Sequence, residues 1–308
     1  MASIKETIRA WFALSRPPFH LVGLLPFVLG NELAARTAGK LRWPVAVWGA
    51  VGVVCVMLAT YYAGEYWDWV ENRLSSRSGP SRFAGGSGVI ERGLLPRRAA
   101  LWGSVASLVV AAGIGFLLQF GYKTGPWTIP LGAAGIVGGF FYSARPVRWV
   151  SRGFGEVWIA FCYGWLPVAV GYYLQTGTIP PVIHRLAIPI GLTIFNVILL
   201  NEFPDYDADR EAGKKNLTVR LGRPGAALLY GAAAVLSIAA FYWSSRRGVP
   251  GPAVWCYLPV FVFSVFITVM VVLGSWRNRA TLEKLCAGNI VVNLATTGAY
   301  IMAFWVAR

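Results

Sequence analysis

Charge is scarce in this 308-residue chain: Asp, Glu, Lys and Arg make up only 13% of it, against 56% hydrophobic residues. Mean hydropathy is +0.56. A soluble domain carries about a quarter charged residues, so that class is excluded and an integral membrane protein is expected. Histidine is nearly absent, with His20 and His184 far apart and without an acid or thiol at ligand spacing. The four cysteines form no Cys-x-x-Cys pair. These shortages argue against a zinc site and a disulfide framework. Cys55, Cys162, Cys256 and Cys286 read as packing residues, and the two histidines as interfacial ones. Low-complexity tracts and a separate soluble segment are missing too, so residues 1–308 are expected to form one transmembrane domain.

What the chain has in quantity is apolar runs. Windows of about 20 mostly apolar residues, the length that crosses a bilayer core, fall at 19–35, 44–68, 98–119, 127–143, 154–174, 184–203, 224–244, 252–274 and 283–306. The expected fold class is all-α, a multi-pass membrane bundle of nine transmembrane helices. Met1 to Trp11 has no small-residue cleavage site, so the first span is expected to be retained. Under this alternation 20 of the 28 Lys and Arg fall on the side of the N-terminus. The positive-inside rule then places the N-terminus and the loops after even-numbered spans in the cytoplasm of a cell-membrane protein, and the C-terminus outside. The net charge of +15 thus reflects topology. It also favours anionic headgroups and substrates; nucleic acid is not an expected partner.

Of the 13 acids only Glu32 falls on the outer side, so the working face is expected to be cytoplasmic. Two polar intervals there begin straight after even-numbered spans. In the second, Asn201, Asp205 and Asp209 are spaced by four, which on a helix forms one stripe drifting about 40° and rising about 6 Å per step. Pro204 is expected to bend that helix end. In the first, Gly64, Asp68 and Asn72 repeat the spacing, flanked by Glu65 and Glu71. Ionisable clusters at the end of an apolar span are functional-site candidates. Facing stripes of oxygen ligands suit Mg²⁺, which takes one or two carboxylates and completes its shell with water and phosphate oxygens. Two such ions could bridge a diphosphate. Between the stripes, the flexible Ser78–Gly88 segment sits where a lid would sit.

Arg16-Pro17-Pro18, the two Asp-rich segments, Tyr142-Ser143-Ala144-Arg145-Pro146 and the run from Asn201 through Gly213-Lys214-Lys215-Asn216-Leu217 to Arg220-Leu221-Gly222 resemble the UbiA superfamily of intramembrane prenyltransferases. The likeness covers nearly the whole chain. Arg82-Phe83-Ala84-Gly85-Gly86-Ser87-Gly88 and Asn-Glu-Phe-Pro-Asp are similar to the menaquinone branch, which attaches a polyprenyl chain to 1,4-dihydroxy-2-naphthoate. The family's first motif usually reads Asn-Asp-x-x-Asp-x-x-x-Asp, whereas Gly64, Glu65, Asp68 and Asn72 stand here. The resemblance implies helices around a central cavity, open sideways to lipid, and Mg²⁺-dependent transfer from a polyprenyl diphosphate to an aromatic acceptor.

On that reading Asp68, Asp205 and Asp209 bind metal, with Glu65, Asn201 and Asn72 as further oxygen ligands. Arg82, Arg145 and Lys214 grip phosphate, since Arg offers a planar fork and Lys a compact charge. Tyr142 and Ser143 orient the diphosphate or acceptor. Blander readings compete. Arg148 and Arg152 are expected to be positive-inside anchors, Glu71 and Asp207 to lie on a solvated face, and Tyr142 could belong, with Tyr61, Tyr62 and Trp67, to an interfacial aromatic belt. Glu202 could replace a family Asp or bond the helix end. Two other functions stay open: a diverged member, suggested by Gly64 and Asn72, that cyclises the donor, uses another acceptor or is non-catalytic, and a transporter. A transporter should carry charges in the middle of several spans, but here the acids gather at one end.

Overall fold

A computed structural model of the chain describes all residues except 1–2, 78–80, 82, 84 and 308. Among the described residues every regular element is a helix. The first, α1 (Ile4–Leu14), is started by a capping box: the Ser3 hydroxyl accepts from the Glu6 amide at 3.2 Å and the Glu6 carboxylate accepts from the Ser3 amide at 2.7 Å. Its Ile4, Ile8 and Phe12 are exposed while Ala10 and Leu14 are buried, so one apolar side faces outward.

Nine apolar helical spans follow, one at each window read from the sequence. They are α2 (His20–Ala38) and α3 (Trp43–Trp67), then, after short α4 (Trp69–Arg77), α5 (Arg97–Phe116) with a π turn to Gly121, and α6 (Thr128–Ser143). The fifth span joins α7 (Gly155–Ala160) to α8 (Leu166–Thr176) through a π turn; the sixth is α9 (Pro181–Asn201). Short α10 (Tyr206–Glu211) precedes α11 (Leu217–Ser245), α12 (Ala253–Val272) and α13 (Arg279–Val306). Among the described residues eight spans are long and apolar enough to cross a membrane; α6 falls short at 16 residues, about 24 Å against a core of about 30 Å.

Packing inside the bundle relies on small residues. A Cβ added to Gly30 would lie 2.2 Å from the Val168 carbonyl oxygen, and one on Gly171 would lie 2.3 Å from that of Phe27, so α2 and α8 meet backbone to backbone. Large apolar side chains such as Val109, Phe116, Leu228, Val235 and Phe266 are exposed instead, as expected where lipid rather than water is the solvent.

Both acidic stripes differ from the single helices expected. Helix α9 stops at Asn201, residues 202–205 form a turn, and α10 restarts at Tyr206. Pro204 is the cause: it has no amide hydrogen for the ladder and its ring crowds the preceding turn. The four-residue step survives from Asp205 to Asp209, whose amide donates to the Asp205 carbonyl at 2.8 Å. In the first stripe the break is at Asp68, with φ −94° and ψ 23° between α3 and α4. There the Asp68 amide still bonds the Gly64 carbonyl and the Asn72 amide the Asp68 carbonyl, both at 2.9 Å. Helices α4 and α10 pack against each other, which brings the two polar segments to one end of the bundle.

Candidate active site

A cavity with about 1130 Å³ of atom-free space, its mouth included, opens where the two segments meet. From the first come Glu65, Asp68 and Asn72, and from the second Asn201, Asp205, Asp209 and Lys214. Tyr142 and Ser143 complete the wall. Nine of the residues singled out in the sequence therefore share one space. Arg145 does not: it is exposed and lines a separate surface groove with Arg148, Arg152, Lys215 and Arg220. It stands just past Ala144, the cap of α6, and faces that groove rather than the acids, a direction that spacing alone does not reveal. Arg82 lies outside the described residues.

The first half-site is held by groups distant in sequence. The Ser143 hydroxyl donates to Asp68 at 2.5 Å and the Arg148 guanidinium reaches it at 3.1 Å. Arg148 also pairs with Glu71. Arg148 is thus no mere topological anchor, and Glu71 is buried rather than solvated. Fourfold spacing hid Glu71, because the break at Asp68 turns α4 and swings this side chain inward. Asp207 does match expectation, exposed and paired with Arg223 at 3.0 Å. Burial is the main influence on Asp68 and raises its pKa, with Lys214 and the Ser143 hydrogen bond opposing.

In the second half-site Asp205 accepts from the Ser75 hydroxyl and from the Gly85 amide. Asp209 is buried and bonded by Lys214 at 3.1 Å and by Asn216 at 2.7 Å. Burial pushes Asp209 up to about 6 in spite of Lys214. Lys214 itself is shifted upward: burial disfavours its charge, but Asp209 and Asp68 more than offset that. Beside it, the buried carboxyls of Glu202 and Glu156 face the start of α11, accepting amide hydrogens from Thr218 at 3.4 Å and Leu217 at 2.6 Å. Burial, then the neighbouring Glu156, drives Glu202 well above the usual carboxylate range.

The glycine-rich segment crosses between the halves. Its Gly85 amide bonds Asp205, its Ser87 amide bonds Glu65 at 2.6 Å, and Arg16 donates to the Gly85 carbonyl at 2.6 Å. Gly85 has φ +69°, and a Cβ on Gly86 would come within 2.6 Å of the Asn72 amide nitrogen. Glycine is needed at the first for its left-handed backbone and at the second for lack of space. Phe83, Gly85 and Gly86 of the segment line the cavity. His20 and His184 have ordinary partners, the Ser15 carbonyl at 2.7 Å and the Trp165 indole at 2.8 Å.

The profile of the UbiA prenyltransferase family matches residues 23–307. The chain belongs to that family. As such it is a prenyltransferase and an integral membrane protein. Among curated relatives, it is 28% identical over 220 residues to a 1,4-dihydroxy-2-naphthoate octaprenyltransferase of Mycobacterium leprae, covering 71% of this chain and 72% of that one. It is 26% identical over 312 residues to the Escherichia coli K12 protein of the same description, covering 97% of both. The structure of a UbiA homologue from Archaeoglobus fulgidus bound to GPP and Mg²⁺ superposes with a TM-score of 0.62 at 15% identity, covering 95% of this chain and 99% of that one. That likeness establishes the shared fold.

Sequence reasoning missed Arg16, Ser75, Arg148, Glu156 and Asn216 as members of this site. Arg16 and Asn216 stood inside segments already singled out. Ser75 and Glu156 left no signal, since an isolated serine or glutamate acquires its role only from what it faces.

Proposed function

We propose that this prenyltransferase transfers a polyprenyl group from a polyprenyl diphosphate to an aromatic acceptor, 1,4-dihydroxy-2-naphthoate, at the cytoplasmic face of a cell membrane. The observation that carries the reading is the meeting of two oxygen-rich segments at one cavity that Val22, Ile159, Ile194 and Val197 also line. A donor with a water-soluble head and a hydrocarbon tail requires such a junction. The names of the relatives support the naphthoate acceptor, and the excess of Lys and Arg on one side supports the orientation.

The donor set fits Mg²⁺. Two buried side-chain oxygens on the cavity wall, Oε2 of Glu65 and Oδ1 of Asn201, have no hydrogen-bond partner, and oxygen ligands are what a hard cation takes. Among the described residues no three His, Cys, Asp or Glu side chains converge as a closed metal cage. Asp68 and Glu65 on one side and Asp205, Asp209 and Asn201 on the other would each hold one ion, whose shell water and phosphate oxygens would complete. When bound, the ions supply positive charge that neutralises the departing diphosphate.

The protein's own residues do the rest. Lys214, held charged between Asp209 and Asp68, presents an ammonium to phosphate oxygens. Tyr142 and Tyr163 line the cavity, where the negative quadrupole of an aromatic face would favour the allylic cation formed as the carbon–oxygen bond ionises. Ser143 fixes Asp68, and the glycine-rich segment shields the cavity from water that would trap the cation as an alcohol. The acceptor ring carbon attacks that cation, and the ring then loses its carboxylate as CO₂.

Purified protein given Mg²⁺, labelled geranylgeranyl diphosphate and 1,4-dihydroxy-2-naphthoate should yield a prenylated naphthol and CO₂, with activity lost on chelation and restored by Mg²⁺. Diphosphate release without prenylated product would overturn the acceptor assignment, and unimpaired turnover in excess chelator would overturn the metal assignment.

A further inference from the structure

Five cations gather beside the acidic cavity in a space of their own. Arg145, Arg148, Arg152, Lys215 and Arg220 surround a groove with about 1020 Å³ of atom-free space, its mouth included, and no acid is among the described residues that line it. Backbone carbonyls brace it: Arg152 donates to Pro146 at 2.9 Å, and Arg220 donates to Lys215 and Arg152 at 2.7 and 3.0 Å. Carbonyls are neutral, so these bonds orient both guanidiniums without cancelling their charge. Arg145 and Lys215 are exposed, and their side chains have no partner among the described residues. Such a cluster suits an anion with several oxygens, phosphate above all.

An apolar groove starts on the same two stretches of chain. Val157 follows Arg152 by five residues, and Leu229 lies on α11, the helix that carries Arg220. With Ala160, Gly191, Leu192 and Ala232 they line about 950 Å³ of atom-free space, its mouth included. Along α9 this groove runs from Phe195 to His184, about 16 Å at the helical rise, or about half of a 30 Å bilayer core. Next to the cations Phe154, Val157 and Leu221 are exposed. Exposed apolar side chains beside basic ones mark the level at which water gives way to lipid.

We infer that the two grooves together seat one anionic phospholipid, its phosphate among the five cations and an acyl chain along α7, α9 and α11. A free phosphate would satisfy the cations but leave the apolar groove without an occupant. A zwitterionic lipid would fill the groove but bring a cation of its own to the arginines. Arg148 gives this lipid a consequence, since it lines the basic groove and also pairs with Asp68 at 3.1 Å and with Glu71. A headgroup phosphate competes for that guanidinium and leaves more negative charge on Asp68 to attract Mg²⁺. This last step rests on the metal reading above; the lipid seat does not.

Native mass spectrometry of the full chain in detergent, titrated with phosphatidylglycerol, phosphatidylcholine and glycerol 3-phosphate, tests the seat. Phosphatidylglycerol should bind about thirty-fold more tightly than phosphatidylcholine, the scale of two basic residues acting on one net negative charge. In the double variant Arg145→Gln/Lys215→Gln that preference should fall to about three-fold or less. Ala232→Trp should weaken both lipids alike, by about ten-fold, because Ala232 is exposed and an indole there occupies the path of the chain. Equal affinity for the two lipids, or an unchanged preference in the double variant, would overturn the headgroup assignment. Lipid affinity untouched by Ala232→Trp would overturn the acyl path; should that variant fail to fold, Ala232→Leu decides by the same ratio. Glycerol 3-phosphate bound as tightly as phosphatidylglycerol would overturn the lipid in favour of a free anion. In nanodiscs the Mg²⁺ concentration for half-maximal turnover should be about three-fold lower with phosphatidylglycerol than with phosphatidylcholine. Equal values with the lipid bound would overturn the link through Arg148. Phosphatidylglycerol bound selectively by a protein without prenyl transfer would overturn the proposed function while leaving the lipid seat standing.

Discussion

The two half-sites share a spacing but not a chemistry. In the first, Asp68 already has a guanidinium, Arg148, which also neutralises Glu71. In the second, Asp205 is bonded among the described residues only by neutral donors, the Ser75 hydroxyl and the Gly85 amide. Neutral donors fix a carboxylate without cancelling its charge, so Asp205 retains more attraction for a cation. Of the two acids that anchor the halves, Asp205 is thus the more available, while Asp209 in its stripe is paired with Lys214 at 3.1 Å.

The sharpest way to break that comparison is to neutralise each acid in turn. Asp205→Asn should cost about 10³-fold in kcat/KM with an unchanged Tm, the scale of losing one centre of preorganised electrostatic stabilisation. Asp68→Asn should cost less, about 10²-fold, and a reversed order in steady-state kinetics would refute the ranking. Next comes Arg148→Gln, which leaves the buried Asp68 and Glu71 without their shared cation. A fall in Tm of several degrees is expected, and a double variant with Glu71→Gln should recover part of it.

A smaller effect concerns pH. Because burial raises Asp209 to about 6, the folded protein holds a proton there that the unfolded chain releases near its ordinary pKa. The resulting stability is present below about 4 and is lost as pH rises through about 6. In metal-free buffer the Tm of wild type should therefore decline between those values more steeply than that of Asp209→Asn; parallel slopes would contradict the assignment. Smallest of all, Ser143→Ala removes one hydrogen bond to Asp68, worth about 1 kcal/mol, and should lower kcat/KM roughly five-fold.

Much of the site could be read from residue order because its metal-facing residues belong to two short segments. Asp68 with Glu65 and Asn72, and Asp205 with Asn201 and Asp209, are local patterns, and local patterns survive in a linear string. Arg145 shows the limit: its segment was recognised, yet the neighbour that turns inward is Arg148, three residues on and past the end of α6. Glu71 shows it again, moved from an expected solvated face to a buried pair by one non-helical residue at Asp68.

Composition and hydropathy alone located nine apolar helical segments, eight of them, among the described residues, long and apolar enough to cross a membrane, and a helix is what such a segment forms because every polar backbone group in lipid must be satisfied within it. Charge distribution alone pointed to one working end. Only the tertiary structure decided which cation meets which acid and how amides of the glycine-rich segment join Asp205 to Glu65. Those outcomes depend on contacts between residues dozens of positions apart, such as Ser75 with Asp205 and Asp68 with Ser143. Periodicity records which way a side chain points on its own helix; what stands opposite is set by how the helices pack.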